Sequence, residues 1–283
     1  MGDPADFLRL IRPVNSVMVG FAVIVGAVIG GGVSVLSSPI DMFLAFVTGF
    51  TLSGSAMAVN DYYDREIDAI NEPGRPIPSG AVKPGEALAI FLVLGAVGLA
   101  SSWKTGIGSL VVALLAWLVG VAYSTVGKKT GFLGNLMVSS CVALPFIYGG
   151  VMTGLAALRT SSIFALIAFI SNTGREVTKG IVDIEGDRSS GVKTVAVSRG
   201  PVDAAWVSAL CYVAAVVVSL APSYLGLVSF WYVPFVAITD IGLLYLSFSL
   251  IRNPSRENSR RVKNGVRLMM LIGLVGFLAG SLL

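Results

Sequence analysis

Two short runs of carboxylates are the residues in this chain best suited to chemistry. In the first, Asn60-Asp61-Tyr62-Tyr63-Asp64-Arg65-Glu66-Ile67-Asp68, the residues Asn60, Asp64 and Asp68 stand four apart. On a helix such residues line one face, a turn between neighbours. Like charges at that spacing repel one another, and the run contains no obvious salt-bridge pattern to compensate them, so a cation among them is the natural complement. Every donor is an oxygen. Magnesium suits such a set, because it accepts one or two carboxylates and takes its remaining ligands from water and phosphate. Standing alone, the run would also be explained by a solvated helix end.

It does not stand alone. Asp183-Ile184-Glu185-Gly186-Asp187 repeats the four-residue spacing, and Asp183 and Asp187 follow Asp64 and Asp68 by 119 residues in each case. A constant offset is what duplication of a helical unit would leave behind. Two oxygen-rich helix ends on one membrane face would clamp a diphosphate through divalent metal. A departing diphosphate gathers negative charge that fixed cations stabilise, and Arg75, Lys128, Arg175 and Lys179 are the candidates. Arg75 opens Arg75-Pro76-Ile77-Pro78-Ser79-Gly80, whose prolines stiffen a loop able to fold over a cavity. Lys128 follows Tyr123 and Ser124 on the same face. Lys129 and the basic cluster from Arg252 to Arg267 read instead as topogenic charges.

The elements that must position these residues are membrane helices. The chain is 55% hydrophobic and only 13% charged, with a mean hydropathy of +0.83, which is not the composition of a soluble domain. Apolar runs of about 20 residues recur from end to end. They give helices near 14–33, 40–60, 85–102, 107–126, 132–153, 161–180, 203–221, 230–251 and 264–283, hence an all-α, nine-span membrane protein forming one domain over 1–283. The first run follows Arg9, Arg12 and Pro13, lacks a convincing cleavage site, and reads as a permanent helix. With nine spans, every basic residue except Lys104 and Arg159 falls on one side of the membrane. That asymmetry places the N-terminus and both acidic runs in the cytoplasm and the C-terminus outside, in the cell membrane. Histidine is absent, which removes imidazole general-base, haem and most zinc chemistry. Cys141 and Cys211 sit in apolar runs as small hydrophobes. Asp240 falls mid-span, where an ionisable group is either functional or hydrogen-bonded to a neighbour such as Thr239.

Taken together, these residues resemble the UbiA-type intramembrane prenyltransferases over nearly the whole chain. The likeness is carried by Asn60-Asp61-x-x-Asp64-x-x-x-Asp68 and Asp183-x-x-x-Asp187, with Arg12-Pro13, Arg75-Pro76, Tyr123-Ser124, Lys128-Lys129 and Asn135 in support. The resemblance implies nine helices around a central cavity, capped by the second-to-third and sixth-to-seventh loops (about 61–84 and 181–202) and open sideways to lipid. It implies Mg²⁺ held by Asn60, Asp64, Asp68, Asp183 and Asp187. The four aspartates are then catalytic, and Asp61, Arg75, Lys128, Lys179 and Tyr123 meet the substrates. The second run, from Arg175-Glu176 to Asp187-Arg188 with Gly191 and Thr194, is similar to that of the archaeal digeranylgeranylglyceryl phosphate synthases.

The implied reaction moves a geranylgeranyl group from its diphosphate to the hydroxyl of geranylgeranylglyceryl phosphate. An aromatic acceptor such as 4-hydroxybenzoate is the alternative within the family. The partners are then an isoprenoid diphosphate, a lipid-like or aromatic acceptor and membrane lipid, with no nucleic acid and no obligatory protein. Helices around the cavity would keep water from an allylic cation, and Tyr62, Tyr63, Tyr123, Phe146 and Tyr148 are candidate wall residues. The rival of another class is a cation transporter, but transporters place such acids near the midplane on broken helices. Here they lie at helix ends among basic residues.

Overall fold

The structure is a computed structural model that describes residues 3–282. It consists of α1 (Pro4–Ile11), α2 (Pro13–Gly31), α3 (Pro39–Asn71), α4 (Pro84–Thr105), α5 (Ile107–Thr125), α6 (Phe132–Thr153), α7 (Leu155–Val182), α8 (Ile184–Ser189), α9 (Val195–Arg199), α10 (Pro201–Ser219), α11 (Ala221–Tyr224), α12 (Tyr232–Arg252) and α13 (Arg256–Leu282). Short 3₁₀ turns at Gly32–Ser37 and Gly127–Thr130 complete it. Among the described residues nine helical segments are long and apolar enough to cross a membrane, and the protein is a multi-pass membrane protein.

Local sequence explains where the helices begin and end. Prolines 13, 39, 84 and 201 open α2, α3, α4 and α10, a position where a missing N–H costs nothing and the fixed φ favours the helix. Single glycines separate α4 from α5 and α6 from α7. Gly106 and Gly154 adopt φ of 134° and 121°, which only glycine tolerates without strain, so each pair reverses direction through one residue. Between α2 and α6 the backbones nearly touch. A methyl group on Gly26 would stand 2.6 Å from the Phe146 Cα, the small-residue contact by which membrane helices pack without a hydrophobic drive between them.

The ends of several helices differ from the sequence expectation, all in one direction. Helix α3 runs to Asn71 rather than stopping near 60, so residues 61–71 of the expected cap loop are helical and the connection to α4 is Glu72 to Lys83. At 33 residues it is about 50 Å long, well beyond the ~30 Å hydrocarbon core. Helix α7 starts at Leu155 rather than 161, and α13 at Arg256 rather than 264. The expected 181–202 loop holds two short helices, α8 and α9. Interior packing forms separate apolar clusters. One joins α2, α3, α5 and α6 through Val23, Ala45, Leu52, Val112, Ala113 and Tyr148; another binds the ends of α7 and α10 to α12 and α13.

Candidate functional site

Successive spans alternate direction, so α3, α5 and α7 all end on the same face of the bundle. That topology brings the two acidic runs to one side. On the projecting turns of α3, Asp61, Asp64 and Asp68 are only 3%, 5% and 6% exposed. Each has a cation. Arg12 Nη2 lies 2.6 Å from Asp61, Lys128 Nζ 2.6 Å from Asp64, and Arg75 Nη1 2.6 Å from Asp68 and 3.5 Å from Asp61.

This corrects the expectation that the first run lacks compensating charges. The compensation comes from residues outside the run, with Lys128 on Asp64 Oδ2 and Arg75 on Asp68 Oδ2, so a metal there shares each carboxylate with a cation. Asp61 stands seven residues before Asp68, two turns back on the same side of α3, and Arg75 reaches both. Asp61 also anchors Arg12, which joins α1 to α2 at φ 48°, the one non-glycine residue with positive φ among those described. Asn60 Nδ2 donates to Asp64 Oδ2 at 3.1 Å, which leaves the Asn60 carbonyl oxygen available to a metal. Burial opposes the charge of Arg75, yet the Glu72 hydrogen bond and the Asp68 and Asp61 carboxylates outweigh it and hold its pKa above the ordinary value.

The second run is built differently. Helix α7 ends at Val182, and Asp183 caps both it and α8, with the Asp187 amide donating to the Asp183 carbonyl at 2.9 Å. Both side chains are half-buried. Burial, and then the neighbouring Asp183 carboxylate, push Asp187 up to about 6 against the opposing pull of Lys179, a Thr194 hydrogen bond and Lys128. The two runs share neighbours. Lys128 lies within Coulombic reach of Asp68 and of Asp187, and the Tyr123 phenol within reach of Asp64, Asp187 and Lys179. Among the described residues no three acidic or cysteine side chains converge closely enough to hold an ion unaided.

Below this polar mouth lies an apolar cavity of about 260 Å³ between α2, α3, α5 and α6. Asn60, Tyr123 and Ser124 stand at the acidic end and Thr48, Val112 and Tyr148 at the far end. Of the five aromatic residues expected as wall, Tyr123 and Tyr148 line it. Phe146 instead packs in the α7–α13 core, Tyr62 lies beneath the Arg65 guanidinium at 4.6 Å, and Tyr63 is 48% exposed. Trp117, which carried no signal in the sequence, lines the cavity with its Nε1 donating to Ser55 at 3.0 Å.

Two further residues escaped the sequence reading. Glu176, one turn before Lys179, is buried and pairs with Arg175 at 2.8 Å and Lys179 at 3.7 Å. Lys263, grouped above with topogenic charges, lies within reach of Asp183, Lys179 and Arg175. Asp240 stays outside the site. It accepts from Ser219 Oγ at 2.8 Å rather than from Thr239, and Tyr232 donates to the Ser219 carbonyl at 2.8 Å.

The model of the UbiA prenyltransferase family matches residues 17–275. The chain belongs to the UbiA prenyltransferase family. It is an intramembrane prenyltransferase, and membership sets aside the transporter reading. Among its relatives is the digeranylgeranylglyceryl phosphate synthase of Thermococcus kodakarensis, 33% identical over 277 residues covering 98% of each chain. A solved structure of a digeranylgeranylglyceryl phosphate synthase superposes with a TM-score of 0.84 at 30% identity, covering 98% of both chains. A UbiA homologue from Archaeoglobus fulgidus bound to GPP and Mg²⁺ shares the fold, with a TM-score of 0.65 at 17% identity over 96% of this chain and 99% of that one.

Proposed function

We propose that this UbiA-family protein transfers a geranylgeranyl group from its diphosphate to the hydroxyl of geranylgeranylglyceryl phosphate, with Mg²⁺ held by Asn60, Asp64 and Asp68 on one side and Asp183 and Asp187 on the other. One observation carries the reading. Two carboxylate sets share the neighbours Lys128 and Tyr123, and Tyr123 together with Asn60 lines an apolar cavity. The names of the full-length relatives favour the lipid acceptor over an aromatic one.

The donor set fits the metal: oxygens only, one or two carboxylates for each ion, and space left for phosphate. When bound, magnesium draws charge onto the leaving diphosphate. The chain does the rest. Lys128, Arg75 and Lys179 present cations to the departing diphosphate. The apolar walls exclude water while the C1–O bond of the donor breaks and the acceptor oxygen bonds to C1. The acceptor's proton passes to an oxygen of the departing diphosphate, which leaves carrying it. A twenty-carbon tail gains about 0.8 kcal/mol for each buried methylene in the bilayer, so a membrane-embedded chamber spares its extraction.

The whole chain acts as one domain, with its acidic mouth and N-terminus in the cytoplasm and its C-terminus outside, the orientation that the basic residues favour. Radiolabelled geranylgeranyl diphosphate, given with geranylgeranylglyceryl phosphate or 4-hydroxybenzoate to the purified protein, tests the acceptor. The diether phosphate should form with Mg²⁺ and not with chelator. Product only with the aromatic acid would replace this reading.

A further inference from the structure

Resting on that reading of the donor, we propose that Tyr148 is the floor of the chamber and sets the length of the isoprenyl chain that it accepts. The cavity runs down one face of α3 from Asn60 to Thr48. Those residues are twelve apart, about 18 Å along the helix axis. An extended geranylgeranyl chain has sixteen carbons in line and measures about 19 Å, given bonds near 1.5 Å. One more isoprene unit would overrun the floor by about 6 Å.

Tyr148 closes that end from α6. It is 3% exposed, and its hydroxyl lies 2.7 Å from Thr105 Oγ1 and 3.4 Å from Thr48 Oγ1. Thr105 is the last residue of α4, at the membrane face opposite the acidic runs, so the ring is fixed across the chamber between two helices. The walls above it include the small residues Gly49, Ala56 and Gly120, with Trp117 beside them. The floor is also removable without stranding a polar group. Thr48 donates to the Leu44 carbonyl and Thr105 to the Ser102 carbonyl, each at 2.9 Å, and both keep those bonds if Tyr148 is shortened.

The test is a donor panel of farnesyl, geranylgeranyl and geranylfarnesyl diphosphates with one acceptor, run on the full-length protein and three variants. Tyr148→Ala should raise the geranylfarnesyl-to-geranylgeranyl ratio of kcat/KM by about tenfold or more, since even one methylene in an apolar pocket discriminates by that much. Tyr148→Phe, which keeps the ring and loses only the hydroxyl, should leave the ratio within about twofold. Val112→Phe, which fills the lower chamber from α5, should shift preference toward farnesyl. An unchanged ratio in an active Tyr148→Ala protein overturns the proposal. If that variant does not fold, an unchanged farnesyl preference in Val112→Phe overturns it instead. A wild-type protein inert toward all three donors would instead sink the proposed function itself.

Discussion

Replacing Lys128 with methionine separates the two tasks assigned to that side chain. Its ammonium sits 2.6 Å from Asp64 Oδ2, and its side chain is 40% exposed. A charged hydrogen bond so open to solvent is worth about 1–2 kcal/mol, so the variant should fold and lose only a little thermal stability. On the proposed function the same ammonium stabilises charge on the leaving diphosphate, and removing one such donor should cost about 3–4 kcal/mol, or 10²–10³ in kcat. Its loss also frees Asp64 Oδ2 from a competitor, so the magnesium concentration for half-maximal activity should stay the same or fall. Steady-state transfer of radiolabelled geranylgeranyl, titrated with Mg²⁺ and paired with a detergent melting curve, reads all three quantities. If excess magnesium restores full turnover, Lys128 serves only to shape the metal site, and the argument for its role at the diphosphate is wrong.

Asp64→Ala and Asp183→Ala should each reduce transfer by about 100-fold or more, since loss of even an outer-shell partner of a metal ligand costs about 10–100-fold, while the detergent melting transition survives; retained turnover removes that residue from the metal site. Asp187 is raised to about 6, so protons compete with metal there: the Mg²⁺ requirement should climb as pH falls below about 6. The linked stability has the opposite sign. A carboxyl whose folded pKa exceeds its ordinary value favours the metal-free fold increasingly as pH drops through that value toward 4, and Asp187→Asn should flatten both trends. Asp240→Asn keeps an acceptor for Ser219 and should alter neither metal dependence nor rate; a selective loss of magnesium response would place Asp240 in the site.

What the sequence disclosed, and what it concealed, follows from the physics of each signal. Hydropathy reports the part of a helix that lipid surrounds, which is why nine spans and their order were legible. It falls silent where a helix continues into water. The polar residues after Met57 in α3 and before Val262 in α13 remain helical, because nothing breaks the backbone until Pro73 on one side and Pro254 on the other. The four-residue spacing of Asn60, Asp64 and Asp68 was readable because it lies on a single helix. The cations that neutralise the first run were not readable as partners, since Arg12 meets Asp61 across 49 residues and Lys128 meets Asp64 across 64. Similarly, Lys263 looked like any membrane-flanking lysine, and only the packing of Val262 and Val266 against Ile181 brings it to the second run.

A structure of the protein in lipid nanodiscs with Mg²⁺ and the unreactive thio-analogue of geranylgeranyl diphosphate would examine the metal clamp directly. Magnesium should lie at about 2.1 Å from at least one oxygen of the Asn60, Asp64, Asp68 set and from at least one of Asp183 and Asp187, with the diphosphate between them. Metal held by one set alone, with the other turned away from the phosphates, would contradict the clamp.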